Sequence, residues 1–122
     1  MELWTEQETI ADPTPDEIQN AIAELKVDEP AVLSRAGEAY IQTMLTEHGF
    51  LLEKREGSAD QHYEAVPNDG RARVVSKPPW WAFWMRATSI YYFSGEEIIE
   101  AFHEYQKGNA NPAFVTWSQI SI

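Results

Sequence analysis

The chain has 122 residues, of which 43% are hydrophobic and 12% aromatic, which excludes wholesale disorder and suffices for one globular core. It contains no cysteine, so disulfide and thiolate chemistry are excluded. The net charge is −11 at pH 7, and a chain this acidic lacks the clustered cations that bind phosphates. We therefore expect no binding to nucleic acid.

The acidic side chains are concentrated in the first part of the chain. Residues 1–30 contain nine acids and one base, a net charge of −8, whereas residues 31–122 contain eleven acids and eight bases, a net charge of −3. Such a field attracts a basic partner and speeds encounter more than it adds affinity. The alternative is that the acidity only keeps the protein in solution.

The sequence shows no targeting or membrane segment. The opening residues, Met-Glu-Leu-Trp-Thr-Glu, lack the basic start and apolar run of a signal peptide. No segment approaches the ~20 apolar residues that a membrane-spanning helix needs. We therefore expect a cytoplasmic protein that makes no membrane contact.

The first predicted helix begins after Thr14. Residues 1–11, which precede it, are expected to form a short edge strand or a loose arm. Thr14 and Glu17 make a T-x-x-E capping box, and Pro15 suits the first helical position. The apolar face of this helix consists of Ile18, Ala21, Ile22 and Leu25.

Short β-type runs follow, separated by turns that contain glycine. The predicted strands are residues 31–35, 40–45, 50–56 and 62–66, with 73–75 and 80–85 as further candidates. Connections this short favour neighbouring antiparallel strands in a meander.

A second helix and a final strand complete the predicted elements. Ser94 and Glu97 form another capping box, and Gly108 suits the position after the helix, where a positive φ is favoured. The apolar stripe of this helix consists of Ile98, Ala101, Phe102 and Tyr105. Residues 114–117 then alternate as a strand that joins the sheet.

Together these elements predict an α+β fold. We expect an antiparallel sheet of about five to seven strands with two helices packed against it. No run of residues has the composition of a linker, so residues 1–122 are expected to form a single domain.

Catalytic and metal-binding patterns are not found in the sequence. His48, His62 and His103 fall in no metal-ligand spacing, and the glycines form no phosphate-binding loop. Carboxylate pairs are too frequent in so acidic a chain to indicate acid–base chemistry. We expect no catalytic residue, metal or cofactor, and predict that the protein is not an enzyme.

Three glutamates of the second helix are candidate contacts for a protein partner. Glu97, Glu100 and Glu104 share the face opposite the apolar stripe. The capping box accounts for Glu97, but Glu104 lies late in the helix, where the dipole disfavours an acid. A helix face that carries this electrostatic cost is suited to contact with a cationic surface of a partner protein. The alternative is a solvated acidic face.

A tryptophan-rich run provides the other candidate contacts. Trp80, Trp81 and Trp84 would point to both sides of a strand, so one side needs a cover. Tryptophan is a frequent anchor of protein interfaces. The alternative is that the run folds back and buries both sides.

Three pieces of the chain are distinctive when taken together. They read A-D-P-T-P-D-E-I-Q-N-A-I-A-E-L, then V-L-S-R followed by Y-I-Q, and finally E-E-I-I-E-A-F-H-E-Y-Q-K-G-N with F-V-T-W-S-Q-I. This combination, which covers about half of the chain, resembles the bacterial polymorphic-toxin immunity proteins of the first-numbered immunity family. The helix-Gly-Trp ending is its most specific piece.

The resemblance implies an antidote that binds a cognate toxin domain, often a nuclease or deaminase, and blocks its active site in the cytoplasm of the toxin producer. It implies no catalytic residues, and it matches the family's tryptophan position to Trp117, expected in the core. The implied partner is a basic protein, in agreement with the acidic balance. The alternatives are a homo-oligomeric interaction or scaffold domain, with the tryptophan run across the two-fold axis of a homodimer, and a small enzyme.

Overall fold

The computed structural model describes residues 1–35, 39–57, 61–71, 74–76 and 88–119. The elements, in chain order, are β1 (Glu2–Thr5), β2 (Thr9–Ala11), α1 (Pro15–Ala23), β3 (Pro30–Ser34), β4 (Ala39–Thr46), β5 (Gly49–Glu56), β6 (His62–Pro67), β7 (Val74–Ser76), β8 (Thr88–Ile90), α2 (Gly95–Gln106) and β9 (Val115–Gln119). The candidate strand at residues 80–85 lies outside the described residues.

One antiparallel sheet of seven strands organises the described part of the chain. Its order is β2-β1-β3-β4-β5-β6-β9, and β7 and β8 form a separate two-stranded sheet. Both helices pack on one face of the large sheet, where their apolar residues join its core. The predicted α+β class, with about five to seven antiparallel strands and two helices, is confirmed.

Both helices begin at the residues that the capping patterns predict. The Oγ1 of Thr14 accepts a hydrogen bond from the Glu17 N–H at 3.1 Å, and the Ser94 Oγ accepts one from the Glu97 N–H at 3.2 Å. Each glutamate returns the bond to the N–H of its cap residue. These reciprocal bonds satisfy N–H groups that have no partner within the helix.

The core lies between the helices and the sheet face that they cover. Leu33 pairs with Ile41, and Thr43 pairs with Leu52, so these alternate residues share that face. The helices contribute their buried stripes, which are Ile18, Ala21, Ile22, Ile98, Ala101, Phe102 and Tyr105. Leu25, expected in the first stripe, is partly buried against this core.

Residues 1–11 fold as a hairpin and so come closer to the expected edge strand than to a loose arm. β1 lies inside the sheet between β2 and β3, and β2 is the edge strand. Leu3 is fully buried opposite Leu33, so the acidic first part of the chain is fixed to the core.

Two glycines have backbone conformations that any other residue would adopt only with strain. Gly108, with φ of +97°, follows α2 as the sequence predicts. Gly49, with φ of +137°, lies beside Tyr92, and a Cβ built there would be 3.1 Å from the tyrosine Cβ. Since L residues rarely adopt such φ values, glycine lets the start of β5 pass close to the segment that leads into α2.

Candidate protein-binding surface

Glu97 of the predicted acidic face is engaged within the chain. The guanidinium of Arg71 donates to both of its carboxylate oxygens, at 2.9 and 2.6 Å, and also to Asp69 at 2.6 Å. The bonds from Arg71 lower the pKa of the Glu97 carboxyl, and they lower that of Asp69 to about 2. Glu97 therefore serves the helix cap and this ion-pair cluster, and is the least available of the predicted contacts.

The other two glutamates of α2 differ in their exposure. Glu100 is exposed, whereas the Glu104 side chain is only 32% exposed. Glu104 accepts a hydrogen bond from the Asn109 side-chain amide at 3.1 Å and lies 3.7 Å from the Lys107 ammonium. These two contacts offset the unfavourable helix dipole at Glu104. Glu100 is therefore the most exposed of the three predicted contacts. Trp80, Trp81 and Trp84 lie outside the described residues.

The three histidines lie in different parts of the structure and make different contacts. The Nε2 of His62 lies 3.0 Å from the Glu53 carboxylate, and the Nε2 of His103 lies 2.9 Å from the carbonyl oxygen of Pro15. The His48 ring packs against Tyr92. Within the described ranges no group of three or more histidine and acidic residues could hold a metal ion.

The sheet face opposite the helices, here called the open face, carries an apolar patch. Trp4 pairs with Val32, and Met44 pairs with both Pro30 and Leu51 on neighbouring strands, so these side chains adjoin. Trp4 is 42% exposed and Met44 is 38% exposed. Among the described residues neither helix packs on this face. Large apolar side chains therefore meet solvent in the middle of a sheet.

The neighbouring part of the open face is polar. Glu53 accepts a hydrogen bond from the Gln42 side-chain amide at 2.8 Å and lies next to His62. Glu64 stands directly opposite Glu53 on β6, so two carboxylates share one rung of the sheet. A shallow depression between the polar and apolar parts is lined by Pro30, Gln42, Thr43, Met44, Leu51 and Glu53.

An acidic rim lies at the end of the sheet where the β1–β2 turn meets α1. A second depression there is lined by Thr5, Glu6, Gln7, Glu8, Ala21, Glu24, Leu25 and Glu29. Glu24 caps the C-terminus of α1, and the last turn of this helix contains no basic residue. The negative end of the helix dipole therefore faces further carboxylates. Hydrogen bonds from the Lys26 backbone and then from Gln7 lower the pKa of Glu29 and keep it charged.

The open face, with its apolar and polar parts, and the acidic rim each have features of a protein-binding surface. Interfaces combine aromatic and methionine anchors with a polar margin, and a cationic partner would relieve the repulsion among the rim carboxylates. The sequence reasoning missed Trp4 and Met44. Met44 alternates with Tyr40 and Gln42 along its strand and so shares a side with polar residues, and this mixed polarity was the available signal that the side is solvated.

The fold and the surface together define a two-layer α+β arrangement in which neither helix of the described residues covers one face of the sheet. Comparison with protein-family models, with curated proteins and with solved structures finds no match. None of the helices in the described ranges combines the length and apolar character needed to cross a membrane.

Proposed function

We propose that this protein is an immunity protein, which neutralises a cognate bacterial toxin domain by binding it stoichiometrically in the cytoplasm of the toxin producer. The exposure of Trp4 and Met44 on the open face is the observation that carries the binding role. The sequence resemblance suggests that the partner is a toxin domain with nuclease or deaminase activity.

The open face supplies the affinity in this proposal. A tryptophan that becomes fully buried at the centre of an interface typically contributes about 2 kcal/mol or more to binding. Trp4 can make such a contribution because 42% of its surface is exposed in the free protein and can still be buried on binding. Val32 and Leu51 extend the apolar contact across neighbouring strands.

In this proposal the rim carboxylates raise the association rate and provide selectivity for a basic partner. A nuclease or deaminase domain that acts on nucleic acid needs a basic surface for phosphates. The rim carboxylates attract such a surface over roughly a Debye length, ~8 Å at physiological ionic strength. An acidic inhibitor of this kind competes with nucleic acid for the same cations.

Co-expression with the product of the adjacent upstream gene tests the proposal. We expect the neighbouring protein to arrest growth alone, and this chain to restore growth and to co-purify with it. The double substitution Trp4→Ala with Met44→Ala should abolish rescue. The control Gln19→Ala, at an exposed site on α1, should rescue fully. A harmless neighbour that does not bind this chain would refute the proposal.

A further inference from the structure

The two edges of the seven-stranded sheet differ in how they are protected. The edge strand β2 has only three residues and is followed by Asp12, with φ of +46°, and Pro13, which together end the extended chain. β9 has five residues, Val-Thr-Trp-Ser-Gln, with neither proline nor charge. Edge strands of monomeric proteins are usually blunted by shortness, charge, proline or bulges. β9 has none of the last three.

The pairing pattern shows which backbone groups of β9 face outward. The Asn68 N–H donates to the carbonyl of Phe114 at 2.9 Å, and Pro67, which has no N–H, lies opposite Val115. In an antiparallel ladder the bonded residues alternate, so Thr116 and Ser118 bond to β6. Trp117 therefore turns its N–H and C=O away from β6, toward a side on which no described strand pairs.

We propose that β9 pairs with β9 of a second copy of this chain, antiparallel about a two-fold axis at Trp117. The Trp117 N–H of each copy would donate to the Trp117 C=O of the other. The two half-buried indoles then become cross-strand neighbours, a favourable aromatic pair. The two seven-stranded sheets join into one continuous sheet.

The charge distribution favours a second copy as the occupant of this edge. Most of the net charge, −8 of −11, belongs to residues 1–30, which form the opposite end of the sheet. The two edges of a seven-stranded sheet are roughly 29 Å apart, several times the Debye length of ~8 Å, so the acidic ends of two copies barely repel each other. From residue 108 to residue 119 no side chain is charged. Like-charged chains can therefore meet at β9.

Sedimentation of the full chain tests the dimer. We expect the wild type to sediment with twice the mass of the chain, with little dependence on salt. Ser118→Lys should give a monomer, since it places a cation at an edge that two copies must share. Ser118 is exposed and lies opposite Glu64 within the same chain, so the variant can pair internally and stay folded, which circular dichroism checks.

Thr9→Lys makes the matched change on the other edge strand and should leave the dimer intact. A monomeric wild type at high protein concentration would overturn the proposal. So would a dimer that survives Ser118→Lys, or one that Thr9→Lys dissociates equally. A mixed complex in which β9 pairs only with an unrelated protein strand would also contradict it.

Discussion

At the scale of single residues, Arg71 connects separate parts of the chain. It joins the turn at Asp69, the first turn of α2 at Glu97 and the carbonyl of Tyr92. Its guanidinium also lies 5.2 Å from the ring centre of Phe93. The Arg71 and Glu97 side chains are only 26% and 23% exposed, so solvent screens this pair less than an ordinary surface pair.

We predict that Arg71→Gln lowers the free energy of unfolding at pH 7 by about 2 kcal/mol, because several charge-assisted hydrogen bonds are lost. Urea denaturation measures the change. Lys107→Gln is the control, since Lys107 is 72% exposed and 3.7 Å from its nearest carboxylate. We expect the control to cost less than about 0.5 kcal/mol.

The same cluster predicts how acid affects stability. In the folded state the hydrogen bonds from Arg71 lower the pKa of Glu97 below its usual 4.5. They lower the pKa of Asp69 from 3.8 to about 2. The stabilisation is therefore fully present above about pH 4.5 and is lost as the pH falls toward 2. Denaturation at stepped pH should show wild type and Arg71→Gln converging across this range. A constant difference down to pH 2 would contradict the assignment.

Lys54 is a buried cation, 4% exposed, on the core face of β5. Its Nζ donates to the Asn111 side chain at 3.2 Å and to the carbonyl of Ala110 at 3.4 Å, and it pairs with Glu56. It also lies 4.7 Å from the ring centre of Trp117. One ammonium thus fixes the segment that leads from α2 to β9.

We predict that Lys54→Ala destabilises by about 3 kcal/mol, since it leaves a cavity and unpaired polar groups. Lys54→Met keeps most of the volume and should cost about 1 kcal/mol, because an apolar replacement removes the desolvation penalty of the charge. Urea midpoints of both variants test the order. Equal losses would mean that polar contacts outweigh volume at this site.

At the scale of elements, each helix depends on one side-chain oxygen at its start. We predict that Thr14→Ala and Ser94→Ala each destabilise by about 1 kcal/mol, the usual cost of removing an N-cap. The control Gln19→Ala, on the exposed face of α1, should be neutral or slightly stabilising. Thermal and urea unfolding measure all three. A neutral Ser94→Ala would show that Arg71 alone holds Glu97 in place.

At the scale of the whole molecule, the acidic side chains should affect association with a partner, whereas the apolar anchor side chains should affect dissociation. We predict that Glu100→Lys combined with Glu104→Lys slows association with the proposed toxin partner and weakens its salt dependence. Trp4→Ala should instead speed dissociation, because it removes a desolvated contact. Stopped-flow association at several salt concentrations separates the two effects. Unchanged association rates would show that these glutamates take no part in the encounter with the partner.

The sequence predicted the fold better than the surface, for a physical reason. Capping boxes at Thr14 and Ser94 and alternation in residues 40–45 are local signals, and the structure contains all of them. The pairing of β1 with β3, and the choice of Arg71 as the partner of Glu97, depend on contacts distant in sequence. No local pattern of the first residues indicates that Trp4 stays exposed while its neighbour Leu3 is buried.

The position of β9 beside β6 has a consequence for how the chain folds. Pro67 pairs with Val115, so this rung closes a loop of nearly fifty residues, whereas β4 and β5 are joined by a two-residue turn. Loop-closure entropy delays such distant pairings relative to hairpins. During synthesis on the ribosome, β6 lacks its pairing partner β9 until β9 has been synthesised. Nascent chains therefore pass through an interval in which a chaperone that shields β6 would raise the yield of native protein.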